Sequence, residues 1–129
     1  MPHILVVDDD VAIRSIISDA LRQDGYEVDS VCNGRQALAA FGQHRPDAML
    51  LDLSMPVMDG PGLVHTLREQ TRWGSIPLVV VSGELHADGA SARLGARACL
   101  KKPFDLPELL ETVEAIAPPE PLATGLRRL

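Results

Sequence analysis

A chain of 129 residues with 46% apolar content is expected to form one domain, with enough aliphatic side chain for one core. Its formal charge of −6 argues against nucleic acid as a partner, and its four aromatic residues (Tyr26, Phe41, Trp73, Phe104) offer no stacking platform for bases or a flavin. Cys32 and Cys99 read as reduced, buried thiols of a cytoplasmic protein; no leader sequence is expected, and no apolar run approaches the roughly 18 residues of a membrane helix.

Strand and helix patterns then alternate five times. Residues 4–8 are a short apolar run, expected for a strand buried on both faces. Ala12, Ile13, Ile16, Ile17, Ala20 and Leu21 recur at helical spacing, with Asp10 as N-cap and Gly25 as stop. Residues 27–31 alternate like a more exposed strand. Ala37, Leu38 and Phe41 mark a second helix that ends before Pro46. Residues 48–52 form the third strand, and Pro61 opens a third helix with Leu63, Val64 and Leu67 inward. Residues 78–82 are the fourth strand. The fourth helix, over 86–94, carries Gly89 and few large apolar residues, and is expected to be a weak, mobile element. Residues 98–101 are a short fifth strand. Asp105 and Glu108 have capping-box spacing and start a helix with Leu109, Leu110, Val113 and Ile116 inward. Residues 1–117 make up the domain. Pro118, Pro119 and Pro121 open a flexible tail over 118–129.

Five such units imply a doubly wound, flavodoxin-like parallel α/β sheet with right-handed crossovers. In the strand order 2-1-3-4-5, Asp8, Asp9 and Asp52 meet at the topological switch point. Ser82 and Lys102 come from the carboxyl ends of the neighbouring strands. Several carboxylates packed together repel one another, and a divalent cation with hard oxygen ligands, Mg²⁺ or Mn²⁺, relieves that repulsion. The cation also lets an anionic carboxylate attack an anionic phosphoryl group. Lys102 supplies a second positive charge, Ser82 a hydroxyl for a phosphoryl oxygen, and Gly83 an open entrance. Asp10 is a cap and Lys101 a solvated lysine. His3, His44, His65 and His86 show no ligand spacing and read as surface residues. Trp73 is placed at the opposite end of the sheet from the pocket, where it should not report on the metal.

The paired Asp8-Asp9, Asp52 followed by Met55-Pro56 and Asp59-Gly60, Ser82-Gly83, and Lys102-Pro103-Phe104 together resemble the response-regulator receiver domain of two-component signalling. The resemblance runs from Pro2 to Ala117. It implies that Asp52 accepts a phosphoryl group from a phosphohistidine on a histidine kinase or histidine phosphotransfer protein. It implies Asp9 as direct metal ligand, Asp8 acting through a metal-bound water, and Ser54 giving its backbone carbonyl. Lys102 and Ser82 close on the phosphate, and the Lys102-Pro103 bond is cis. Ser54 and Glu84 fall where the family tunes the decay of the acyl phosphate, and an intermediate lifetime is expected. Cys99 stands where the family carries a Tyr or Phe that moves with the Ser/Thr, so the usual aromatic readout is missing.

By the same resemblance the chain is not an enzyme but a stand-alone receiver that assists its own phosphorylation and dephosphorylation. Its fourth helix, fifth strand and fifth helix present a changing face to an unknown protein target. Its first helix, through Arg14, Ser18 and Arg22, docks the kinase. Membrane insertion is not expected. A haloacid-dehalogenase-type phosphatase would use Asp8 and Asp10, but it lacks a later acidic pair and leaves the Asp52 loop unexplained. A flavin carrier lacks its phosphate loop and aromatics. A receiver-shaped adaptor that is never phosphorylated is the remaining alternative.

Overall fold

The computed structural model describes residues 2–53, 60–70, 76–83 and 87–119. Its order is β1 (His3–Val7), α1 (Val11–Gln23), β2 (Glu27–Val31), α2 (Gly34–Gln43), β3 (Ala48–Leu51), α3 (Gly60–Gln70), β4 (Leu78–Ser82), α4 (Ala87–Arg93), β5 (Ala98–Lys101) and α5 (Leu106–Ile116). The five strands form one parallel sheet in the order β2-β1-β3-β4-β5. The expected architecture is therefore present, with element ends shifted by a residue or two. The predicted tail from residue 120 onward, Trp73 and His86 lie outside the described residues.

Side-chain alternation along the buried strands divides the core in two. Leu5, Val7, Met49, Leu51 and Val80 face α2 and α3 and pack on Ala37, Phe41, Leu63, Val64 and Leu67. Ile4, Val6, Leu50, Val79, Val81 and Leu100 face α1 and α5 and pack on Ile17, Leu21, Leu109 and Val113. Both faces being covered is why β1, β3 and β4 read as unbroken apolar runs.

Local chemistry starts and stops the helices. Asp10 caps α1, accepting from Ala12 N at 2.9 Å and Ile13 N at 3.2 Å. Gly25, at φ +94°, takes the left-handed turn that ends it. Asn33 caps α2 by accepting from Gln36 N at 2.9 Å, a start the apolar pattern did not reveal. Asp105 caps α5 by accepting from Glu108 N at 2.8 Å. The expected cis bond at Lys102-Pro103 is present. Ile16, one of the apolar residues that recur at helical spacing in α1, is 51% exposed, because that helix buries Ile17 and Leu21 and rolls Ile16 off the core.

Candidate functional site

The sheet register builds the site. Val7 pairs with Leu51, so the residues that leave β1 and β3, Asp8 and Asp52, emerge side by side. The ladder continues one step past the strands: Asp52 N donates to Val7 O at 2.9 Å, and Asp8 N to Val31 O at 3.1 Å. Leu51 pairs with Val80, which puts Ser82 one residue past the level of Asp52 on the neighbouring strand. Lys102 follows Lys101, the register partner of Ser82, and its N–H donates to Ser82 O at 3.0 Å. All four residues thus leave the same edge of the sheet.

There the carboxylates of Asp8, Asp9 and Asp52 converge, one oxygen of each lying within 4.8 Å of the others. Asp8 and Asp52 are 2% and 6% exposed, whereas Asp9 faces solvent. Asp8 is held by both oxygens: Oδ1 accepts from Asp10 N at 2.9 Å and Oδ2 from Lys102 Nζ at 2.8 Å. Arg14 Nη1 donates to Asp8 O at 2.8 Å, fixing the backbone as well. Lys102 Nζ also lies 3.6 Å from Asp52 Oδ2, so one ammonium bridges the two buried carboxylates. Burial alone would push the Lys102 pKa down. The hydrogen bond it donates to Asp8 and the charges of Asp52 and Asp8 outweigh it, and the net shift is upward. An all-oxygen, hard donor set of this kind fits Mg²⁺ or Mn²⁺.

Ser82 is fully buried at the end of β4. Gly83 is exposed, and a Cβ built on it would meet only Lys102 Cβ, at an ordinary 3.8 Å, so an added methyl is not sterically barred there. Ser54 and Glu84 lie outside the described residues, as do Met55, Pro56 and Asp59. Cys99 sits in β5 opposite Val80 and is half-buried. Asp88 of α4 lies beside its thiol, and Lys101 Nζ stands 3.1 Å from Asp88. Burial first, then the neighbouring Asp88 carboxylate, raise the Cys99 pKa above the usual thiol value. Lys101 is therefore exposed but paired.

Three sequence expectations need correction. Ser18 is 3% exposed and offers no docking surface, because it lies on the same helix face as the core residues Ile17 and Leu21. Arg22 sits one helix length from the acidic site, in a cleft with His3 and Tyr26. What α1 presents near the site is apolar: Val11 is 65% and Ile16 51% exposed, beside Leu106 at 38%. Ile13, Ile16, Lys102, Pro103, Phe104 and Leu106 line a shallow cleft there of about 180 Å³. Helical spacing alone does not separate such a patch from core. Finally, His3 is no surface residue: it is 4% exposed and stacks on His44. Only the fold brings residues 3 and 44 together.

Among the described residues no helix is long and apolar enough to cross a membrane. The model of the response regulator receiver domain family matches residues 4–114. The transcriptional regulatory protein PrrA of Mycobacterium tuberculosis is 39% identical over 117 residues, covering 89% of this chain and 49% of PrrA. The chain thus spans about half the length of such curated relatives. Because these relatives are named as transcriptional regulators, the expectation that nucleic acid is no partner is unsupported; net charge speaks only for the residues counted. Among solved structures, the chemotaxis response regulator CheY4 of Vibrio cholerae superposes with a TM-score of 0.82 at 34% identity, covering 90% of this chain and 98% of that one. The response regulator TrrA of Thermotoga maritima, in complex with Mg²⁺-BeF, superposes at 0.78 with 29% identity, covering 90% and 99%. Sheet order, converging carboxylates and these matches agree that the chain belongs to the response-regulator receiver domains.

Proposed function

We propose that Asp52 accepts a phosphoryl group from a phosphohistidine in a reaction that depends on Mg²⁺, and that the modification switches protein–protein contacts. The observation that carries this reading is the convergence of Asp8, Asp9 and Asp52 with Lys102 Nζ bridging Asp8 and Asp52. Receiver domains are signalling units that bind Mg²⁺ at such an acidic pocket, and TrrA, with Mg²⁺-BeF bound, supports the same use here.

Asp8, Asp9, Asp52 and the backbone carbonyl of Ser54 would hold the ion. When bound, it neutralises the transferring oxygens and the crowded carboxylates. A carboxylate oxygen of Asp52 attacks phosphorus, the P–N bond to the donor imidazole breaks, and the imidazole leaves with a proton. Lys102 exchanges its contact with Asp52 for the new phosphoryl oxygens, and Ser82 donates its hydroxyl to them. The apolar patch of Val11, Ile16 and Leu106 beside Lys102 is the docking face for the histidine kinase or phosphotransfer protein. The step is the same whether the unit acts alone or within a longer regulator. The acyl phosphate carries about −1.5 to −2 where the carboxylate carried one negative charge, and the gain of up to about one charge, on three acceptor oxygens, draws Lys102 and Ser82 inward. The Cys99–Asp88–Lys101 contacts offer a polar route from β5 to α4 in place of an aromatic switch.

Intact-mass spectrometry after incubation with a small acyl phosphate tests this. A phosphoryl adduct is expected on the wild type with Mg²⁺, and none on Asp52→Asn or without Mg²⁺. An adduct of equal yield on Asp52→Asn would overturn the assignment. The absence of any adduct, even from a phosphohistidine donor, would favour the phosphorylation-independent adaptor.

A further inference from the structure

At the amino end of the sheet, far from the acidic site, three elements bring together two imidazoles and a carboxylate. His3 opens β1, Asp29 lies in β2, and His44 follows α2. His3 pairs with Glu27, so Asp29, two residues further along β2, projects from the same sheet face. One ligating atom of each of His3, Asp29 and His44 lies within 4.8 Å of the others. His3 Nε2 stands 2.8 Å from Asp29 Oδ2, a separation that serves a hydrogen bond or two neighbouring ligands of one ion. The His3 and His44 rings stack with centroids 4.0 Å apart and planes 8° apart.

The hydrogen bonds of the fold do not satisfy this cluster. His3 is 4% exposed, and its Nδ1 is buried with no hydrogen-bond partner among the described residues. A histidine held only for packing at a strand end would not need an exposed carboxylate and a second imidazole over it. The cluster opens into a cleft of about 490 Å³ that also holds Glu27 and Arg22. Arg22 is drawn off toward Val28 O at 3.1 Å and Asp19 at 3.9 Å.

We propose that His3, Asp29 and His44 form a second metal site, selective for an imidazole-preferring divalent ion such as Zn²⁺ and distinct in chemistry from the all-oxygen site at the other end of the sheet. Two nitrogens and one oxygen suit Zn²⁺, which tolerates an open fourth position, and do not suit Mg²⁺. The lone pairs of two stacked rings cannot meet at one point. Binding therefore turns the exposed His44 ring out of the stack, while His3 and Asp29 keep their places. The ion would clamp β1, β2 and the end of α2 together.

The test is Zn²⁺ titration of the full chain by calorimetry, in excess Mg²⁺ to fill the acidic site and with a non-chelating reductant. One Zn²⁺ per chain is expected. His44→Ala and Asp29→Asn, both at exposed positions, should each weaken it by at least the roughly 10–100-fold that losing even an outer-shell partner costs. His65→Ala should leave it unchanged; among the described residues His65 pairs with Glu69 on α3. Co²⁺ in place of Zn²⁺ should give ligand-field absorption with no thiolate charge-transfer band. Failure of the wild type to bind, unchanged affinity in His44→Ala, loss of affinity in His65→Ala, or a thiolate band would each overturn the proposal.

Discussion

Lys102 occupies a position that no other cation among the described residues shares, between two nearly buried carboxylates. Replacing it by Met leaves the nearly buried Asp8 and Asp52 carboxylates facing each other without a counter-charge. In metal-free buffer this should cost about 2 kcal/mol in urea unfolding, less than the roughly 3–5 of a fully buried pair because the lysine side chain keeps 18% exposure. Its folded pKa is raised, so this stabilisation is complete below the unfolded value of about 10.4 and is lost as pH rises through the folded one. Cys99 gives a second test at the same scale. Burial first, then Asp88, keep its thiol protonated, so its alkylation rate should titrate above the roughly 8.5 of a free cysteine. In Asp88→Asn the midpoint should move down; an unmoved midpoint would remove Asp88 from the account. The sequence places Lys102 at the acidic pocket through its Lys-Pro motif but not as the bridge between Asp8 and Asp52. A cysteine in a strand carries no mark of Asp88 at all.

At the scale of elements, the caps were the most readable features. Asp105 and Glu108 announce α5 by spacing alone, and Asp105 accepts from Glu108 N as that spacing requires. Asp105→Ala should cost about 1 kcal/mol of stability by thermal or urea unfolding, with the fold unchanged by circular dichroism. The strands were legible too, because burial on both faces forces continuous apolar runs. Amphipathic helices were legible in existence but not in roll. Ile16 and Ile17 are adjacent and chemically alike, yet only Ile17 enters the core. A shift of one residue around the helix separates a packing residue from the centre of an exposed apolar patch, and only the sheet beneath decides it. The short α4 was read as weak from its composition. It packs through the buried Ser91 and the nearby Leu94 and Ala96 rather than through large apolar side chains.

For the molecule as a whole, stability and site are coupled through the ion. Mg²⁺ at ten times its dissociation constant should stabilise the fold by about 1.4 kcal/mol if it binds only the folded state. Asp9→Ala should erase that gain while leaving metal-free stability nearly unchanged, because Asp9 is exposed and makes no hydrogen bond or ion pair among the described residues. Equal Mg²⁺ responses in the two proteins, read from chemical denaturation, would remove Asp9 from the metal site.

Strand periodicity, cap spacing and the order of the acidic, hydroxyl and lysine motifs were sufficient to identify a five-stranded parallel sheet with its reactive edge at the carboxyl ends. These are local properties, written within a few residues of one another, and the right-handed crossover rule carries them to a topology. The tertiary structure alone decided what depends on distant contact: the bridging of Asp8 and Asp52 by Lys102, the link from Cys99 to Asp88, the exposure of Ile16, and the meeting of His3, Asp29 and His44. Each joins groups that share no local pattern, and only packing in three dimensions sets their distance.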